Sequence, residues 1–201
     1  MEYTFSTQVR KIALSFGLFL AAFSFSTVNA QTNYQATAAK TVIEGTSNIH
    51  DWTMQSQKAT ATAVVTLAPS GALAAISSIH FVIPAESLKS EHAQMDKNSY
   101  KALKTGKNPN IIFNAASGTV KPNGANGFIV TSRGKLNISG VTKDVDLVAT
   151  GVVNADKSIS LNGTYKLKMT DFSVEPPSLM LGAIKTGDGI AVKYNLTLKA
   201  H

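Results

Sequence analysis

Cysteine is absent from all 201 residues. That excludes disulfides, thiolate metal sites, a cysteine nucleophile and the acylated-lipoprotein route, which needs a cysteine at its cleavage point. Arginine is nearly absent too, with Arg10 and Arg133 the only two, so a formal charge of +7 rests on lysine. Aromatics make up 7%. Nucleic-acid recognition draws on the planar fork of arginine and on stacking rings, so no nucleic-acid partner is expected. Attraction to an anionic surface or an acidic head group suits the lysines better, which allows transient contact with a membrane surface. Plain solubility accounts for them equally well.

Signatures of catalysis are missing. The histidines are His50, His80, His92 and His201, and no two have the close spacing of a metal-binding helix or hairpin, so no metal is expected. There is no G-x-S-x-G elbow, phosphate loop or dinucleotide fingerprint. Glu44, Glu86, Glu91 and Asp171 are candidates for a glycosidase pair, but nothing in the sequence brings two of them together. The most pointed cluster is His50-Asp51-Trp52. An imidazole oriented by a carboxylate beside an indole has the parts of a general base or a head-group contact. The simpler account, which we favour, has Asp51 in a turn and Trp52 anchoring a core. No catalytic residue, no enzymatic activity and no cofactor are expected.

A long apolar run is also lacking. Ile12 to Phe25 carries no charge, follows Arg10 and Lys11, and precedes Val28-Asn29-Ala30. At about fourteen residues it falls short of the roughly twenty that span a bilayer. It has the layout of a secretory signal over residues 1–30, cleaved near Ala30, leaving one domain over residues 31–201 in the periplasm or outside the cell. Without Glu2, Arg10 and Lys11 the remainder carries 17 basic and 11 acidic residues, +6. Its length is enough to bury about 70% of the unfolded surface.

What the chain has in abundance is alternation, the period of strands. Ile159, Leu161, Gly163, Tyr165, Leu167 and Met169 share one face, and Ile190, Val192, Tyr194, Leu196 and Leu198 another. Phe128, Val130, Leu136 and Ile138 alternate with Thr131, Arg133, Lys135 and Asn137; Val145, Leu147 and Ala149 alternate with Asp144 and Asp146. Shorter matches fall at 34–45, 51–67, 75–83 and 110–120. Asn123 to Gly127, Ser139-Gly140, Asn154 to Asp156 and Gly187 to Gly189 are reversal sequences. About eight strands at this spacing indicate an all-β sandwich or closed barrel.

Two stretches break the pattern. Pro84 to Lys107 contains a short helix, roughly 95–105, ending at Gly106. Phe172 to Lys185 holds Pro176-Pro177, which forbids regular ladder pairing, yet Leu179, Met180, Leu181, Ala183 and Ile184 are apolar. Such a loop either folds over a barrel mouth or packs on the outer wall. An eight-strand barrel has room for its own side chains or for one small ligand. Ala59, Ala61 and Ala63 on one face of a strand would leave such room if that face points inward.

Several ordered pieces resemble the YceI-like lipid- and polyisoprenoid-binding family. They are Gly45-Thr46-Ser47 with His50-Asp51-Trp52, Tyr100 to Leu103, Asn108 to Phe113, the run Gly134 to Val145, Asp171-Phe172 and Gly187 to Ile190. The resemblance covers essentially all of residues 31–201. It implies a single antiparallel eight-strand lipocalin-like barrel with a short helical insert, exported to the periplasm, with an apolar tunnel for an isoprenoid or other lipid tail. Two positions depart from the family. Lys89 to Asp96 stands where many members have Arg-Asp-x-His-Leu, and Ser173 where many have glycine. The first lies near one barrel end and bears on the head group. For the tunnel lining the candidates are Trp52, Phe81, Phe113, Phe172, Leu179 and Leu181. A homodimer is compatible with such a barrel, although no residue demands one. The competing accounts are a solidly packed interaction barrel without ligand, an outer-membrane barrel, and an enzyme acting on a small lipid. The thin aromatic content and the helical insert argue against the second.

Overall fold

The computed structural model describes residues 30–201, without the side chains of Leu179 and Met180. The leader read over residues 1–30 lies, apart from Ala30, outside them. The strands are β1 (Gln31–Ser47), β2 (Trp52–Ser56), β3 (Thr60–Leu67), β4 (Leu73–Pro84), β5 (Asn110–Pro122), β6 (Gly127–Ile138), β7 (Val141–Val153), β8 (Ile159–Lys168), β9 (Ser178–Leu179) and β10 (Ile184–Ala200), with one helix, α1 (Ala93–Leu103). All pairings are antiparallel. β1, β3, β4, β5, β6, β7, β8 and β10 form a closed eight-strand barrel, because β10 returns to pair with β1 from Tyr34↔Ala200 to Ser47↔Thr186. The expected fold class is the observed one.

The two extra strands both serve one end of the barrel. The long β1 pairs with β3 through its first residues, Gln31 to Gln35, and with β2 through Thr41 to Gly45. The stretch read as one strand over 51–67 is therefore two, interrupted at Gln57 to Ala59. The far edge of β2 is held by Lys89, whose N–H donates to the Gln55 carbonyl at 2.9 Å while the Gln55 N–H donates back at 2.8 Å. Thus the segment entering α1 is stitched into the wall.

Three of the four expected reversals are turns. The fourth, Gly187 to Gly189, lies inside β10, where the glycines form an irregularity in the register with β1 between Gly45↔Ile190 and Ser47↔Thr186. Ser139 (φ 52) and Gly140 (φ 84) both lie in the left-handed region, as a two-residue type I′ hairpin requires, and set the full β6–β7 register from Ile138↔Val141 to Gly127↔Val152. Helix α1 starts two residues earlier than the sequence suggests and ends with Lys104 (φ 55), not Gly106, in the left-handed capping position. Its first turn is secured from outside. Buried Asp96 accepts from the Ser90 N–H at 2.7 Å and the Ser90 hydroxyl at 2.8 Å.

The β7–β8 ladder covers only one end of its strands, from Val153↔Ile159 to Ala149↔Gly163. Towards the other end the seam is filled by side chains. Met169, Phe172 and Val174 are buried there against Val145, Leu147 and Leu167, and Lys143 reaches Asp171 at 3.7 Å across the surface. The irregular stretch after β8 is in this way part of the wall.

Candidate functional site

Period-two alternation sends one face of every strand inward, and these faces surround a cavity of about 460 Å³. Its floor is solid. Tyr34, Val65, Leu73, Phe128 and Ile159 are buried together at that end, and the Tyr34 hydroxyl donates across it to the Lys157 carbonyl at 3.0 Å. Above the floor Ala61 and Ala63 face inward, each buried, and both line the cavity. Small side chains here leave space that larger ones would fill. Ala59 packs instead against Met54, Ile83 and Leu88 under β2.

The upper half is bounded by the four aromatic candidates Trp52, Phe81, Phe113 and Phe172, all on the cavity wall. Leu181 is not among them. Its side chain is fully exposed and its backbone left-handed (φ 56), so it points into solvent at the rim. The side chain of Leu179 is outside those described. Val174, Pro177 and Ile184 line the mouth from the same stretch, so most of this segment turns inward while its tip turns out. Met95, Asn98 and Leu103 of α1 complete the rim. The sequence did not single these out, since a short helix amid lysines gives no sign of which side meets a cavity.

Close packing of rings against the wall depends on glycine. Gly45 is directly opposite Trp52, and a Cβ at Gly45 would fall inside the indole. The Trp52 N–H donates to the Thr46 carbonyl at 2.9 Å, which holds the ring flat. Gly163 is likewise opposite Tyr194. The phenol lies over the glycine and donates to the Val148 carbonyl at 2.9 Å, and burial pushes its pKa up to about 12. Rings laid flat over glycine hug the wall and keep the axis clear.

Among the described residues, none lining the cavity is Asp, Glu, Lys or Arg. Polar groups gather at the mouth as Ser47, His50, His92, Gln94, Asn98 and Thr186. His50 is exposed, and its Nδ1 meets the Asp51 backbone carbonyl at 2.7 Å, an interaction with main chain and not with the carboxylate. Inside, hydroxyls come from Ser132, Tyr165 and Tyr194. Ser132 was within reach of the sequence pattern: with Thr131 and Arg133 outward, residue 132 falls in the inward phase. A second hollow, on the outer wall at the β4 and β5 bulges, is bordered by His80, Asn114, Arg133, Lys135 and Asp144. Its charges are exposed and already paired, Lys135 with Asp144 at 3.2 Å and Arg133 with Asp146 at 3.8 Å.

Three carboxyls sit below the ordinary range. The Ser158 hydroxyl and N–H, with Lys199, hold Asp156 at about 2. The Thr170 hydroxyl and N–H lower Asp188. For Asp96 burial acts in the opposite direction, but the two Ser90 donors and Lys89 outweigh it. A depressed carboxyl contributes stability above its unfolded pKa of about 3.9 and loses it as pH falls through the folded value. The melting temperature is therefore expected to hold steady near neutrality and to decline from about pH 4 towards 2. Calorimetry across that range tests this, and an unchanged melting temperature at pH 2 would refute it.

The architecture defines a class: a closed antiparallel barrel whose interior is an apolar tunnel, floored at one end and rimmed by a helix at the other. More particularly, the chain belongs to the YceI-like family, whose domain matches residues 24–198. Among solved structures it is similar to Burkholderia cenocepacia BcnA, at 19% identity and a TM-score of 0.59, covering 80% of this chain and 95% of that one. It is also similar to a polyisoprenoid binding domain from Saccharophagus degradans implicated in plant cell wall breakdown. There the identity is 13% and the TM-score 0.62, covering 84% of this chain and 98% of that one. At these identities the likeness is one of fold. No curated protein matches the chain.

Proposed function

We propose that the protein binds a lipid by its apolar tail, isoprenoid or fatty-acyl, inside the barrel, and carries or sequesters it in the periplasm. The observation that carries this is the cavity itself, about 460 Å³ with no charged residue among its described lining. Each methylene moved from water into such a space gains about 0.8 kcal/mol, so a tail supplies affinity without polar contacts. Membership of the YceI-like family supports a binding role over a catalytic one, as does the polyisoprenoid binding named for the Saccharophagus degradans domain. Export rests on the leader pattern in residues 1–30.

Native mass spectrometry of the protein purified from the periplasm without detergent, followed by organic extraction, tests the proposal. A stoichiometric hydrophobic adduct is expected. A clean apo mass that stays clean after incubation with isoprenoids and fatty acids would sink it, leaving an interaction barrel without ligand.

A further inference from the structure

Ser132 lies on β6 between the floor residue Phe128 and the rim residue Ile138, facing the tunnel at 5% exposure. Its hydroxyl takes part in none of the side-chain hydrogen bonds of the described residues, whereas the Tyr194 hydroxyl in the same tunnel is paired with Val148. A tail that fills the tunnel takes water away from this hydroxyl, and a hydroxyl held away from water without a partner is costly. The surroundings make room for it. At Gly118 on β5 a side chain would begin 2.6 Å from Ser132 Oγ and 2.8 Å from Val130. The neighbouring wall is apolar, formed by Ile76, Val130, Leu147 and Ala149.

Resting on the tail-binding proposal, we infer that the partner of Ser132 is the ligand, which carries an uncharged hydrogen-bonding oxygen, a carbonyl or hydroxyl, part-way along its apolar body. The oxygen is uncharged because no described lining residue is a lysine, arginine or carboxylate, and a buried ion without a counter-charge is far more costly than a buried carbonyl. Its depth is set by the strand. Val130, one inward position nearer the floor, and Leu136 and Ile138, nearer the rim, also line the tunnel, so apolar chain lies below the oxygen and more apolar chain above it. A ligand with all its polarity at one terminus, held at the mouth, would leave Ser132 unsatisfied.

The test is competition for the protein between heptadecane and a ketone of the same chain, using 5-, 7- and 9-heptadecanone in turn. Bound molecules are extracted and quantified by gas chromatography. Because each ratio is internal to one protein, a general packing defect cancels. Ser132→Ala is expected to lower the ketone-to-alkane ratio about fivefold for the best-placed ketone, and Ser132→Thr to retain it. An unchanged ratio in Ser132→Ala for all three ketones would overturn the inference while leaving tail binding intact. Failure of wild type to take up either compound would overturn tail binding as well.

Discussion

Replacing Ala61 with phenylalanine is expected to abolish uptake of a long apolar tail while leaving the barrel folded. Ala61 is buried on the tunnel wall and pairs across β3 and β4 with Phe81. A second ring beside the first suits the pleated surface, where cross-strand aromatic pairs are favourable, and it occupies space that is otherwise open. If the ring excludes four methylenes from the tunnel, the loss is about 3 kcal/mol, on the order of a hundredfold in affinity. Stability should hold or rise, since filling a void removes a cavity penalty. Thr60→Phe is the control. Thr60 is exposed on the same strand and does not line the tunnel, so its substitution should leave uptake unchanged. Titration with a fluorescent fatty acid and a thermal melt on each variant decide the matter. Equal affinity for wild type and Ala61→Phe would show that the ligand does not use this part of the tunnel.

Much of this arrangement was legible in the chain. The inward sets on β6, β8 and β10 follow from alternation alone, because a strand's side chains repeat every two residues. The Ser139-Gly140 hairpin follows from the two positive φ values such a turn demands. The stripe Ala59, Ala61, Ala63 pointed to space, and two of the three line it. What alternation does not carry is depth. Val65 and Ala63 belong to one face of one strand, yet the first is in the floor and the second on the open tunnel, because what fills the barrel at each level comes from distant strands. The rim was less legible still. The stretch from Phe172 to Lys185 has no period, so nothing in it distinguishes Val174, which seals the β7–β8 seam, from Leu181, which faces solvent.

The openness of the tunnel has a further structural condition, and Gly163→Val is expected to remove it. Tyr194 lies flat over Gly163 and anchors its hydroxyl on the Val148 carbonyl. A branched side chain at 163 would lift the ring off the wall, break that hydrogen bond and drive the phenol towards the axis. Overpacking of this kind, with a buried hydroxyl left unpaired, costs about 3 kcal/mol, a fall in melting temperature of about 6–12 °C for a domain of this size. Gly189→Val supplies the comparison, since nothing lies within 4 Å of a Cβ there and the substitution should cost little. Tyr194→Ala combined with Gly163→Val should destabilise less than the two single changes together, as expected for residues in contact. Equal melting temperatures for Gly163→Val and Gly189→Val would refute this account. The expected result, with loss of tail uptake accompanying the loss of stability, would show that the glycine keeps a large aromatic out of the space the ligand needs.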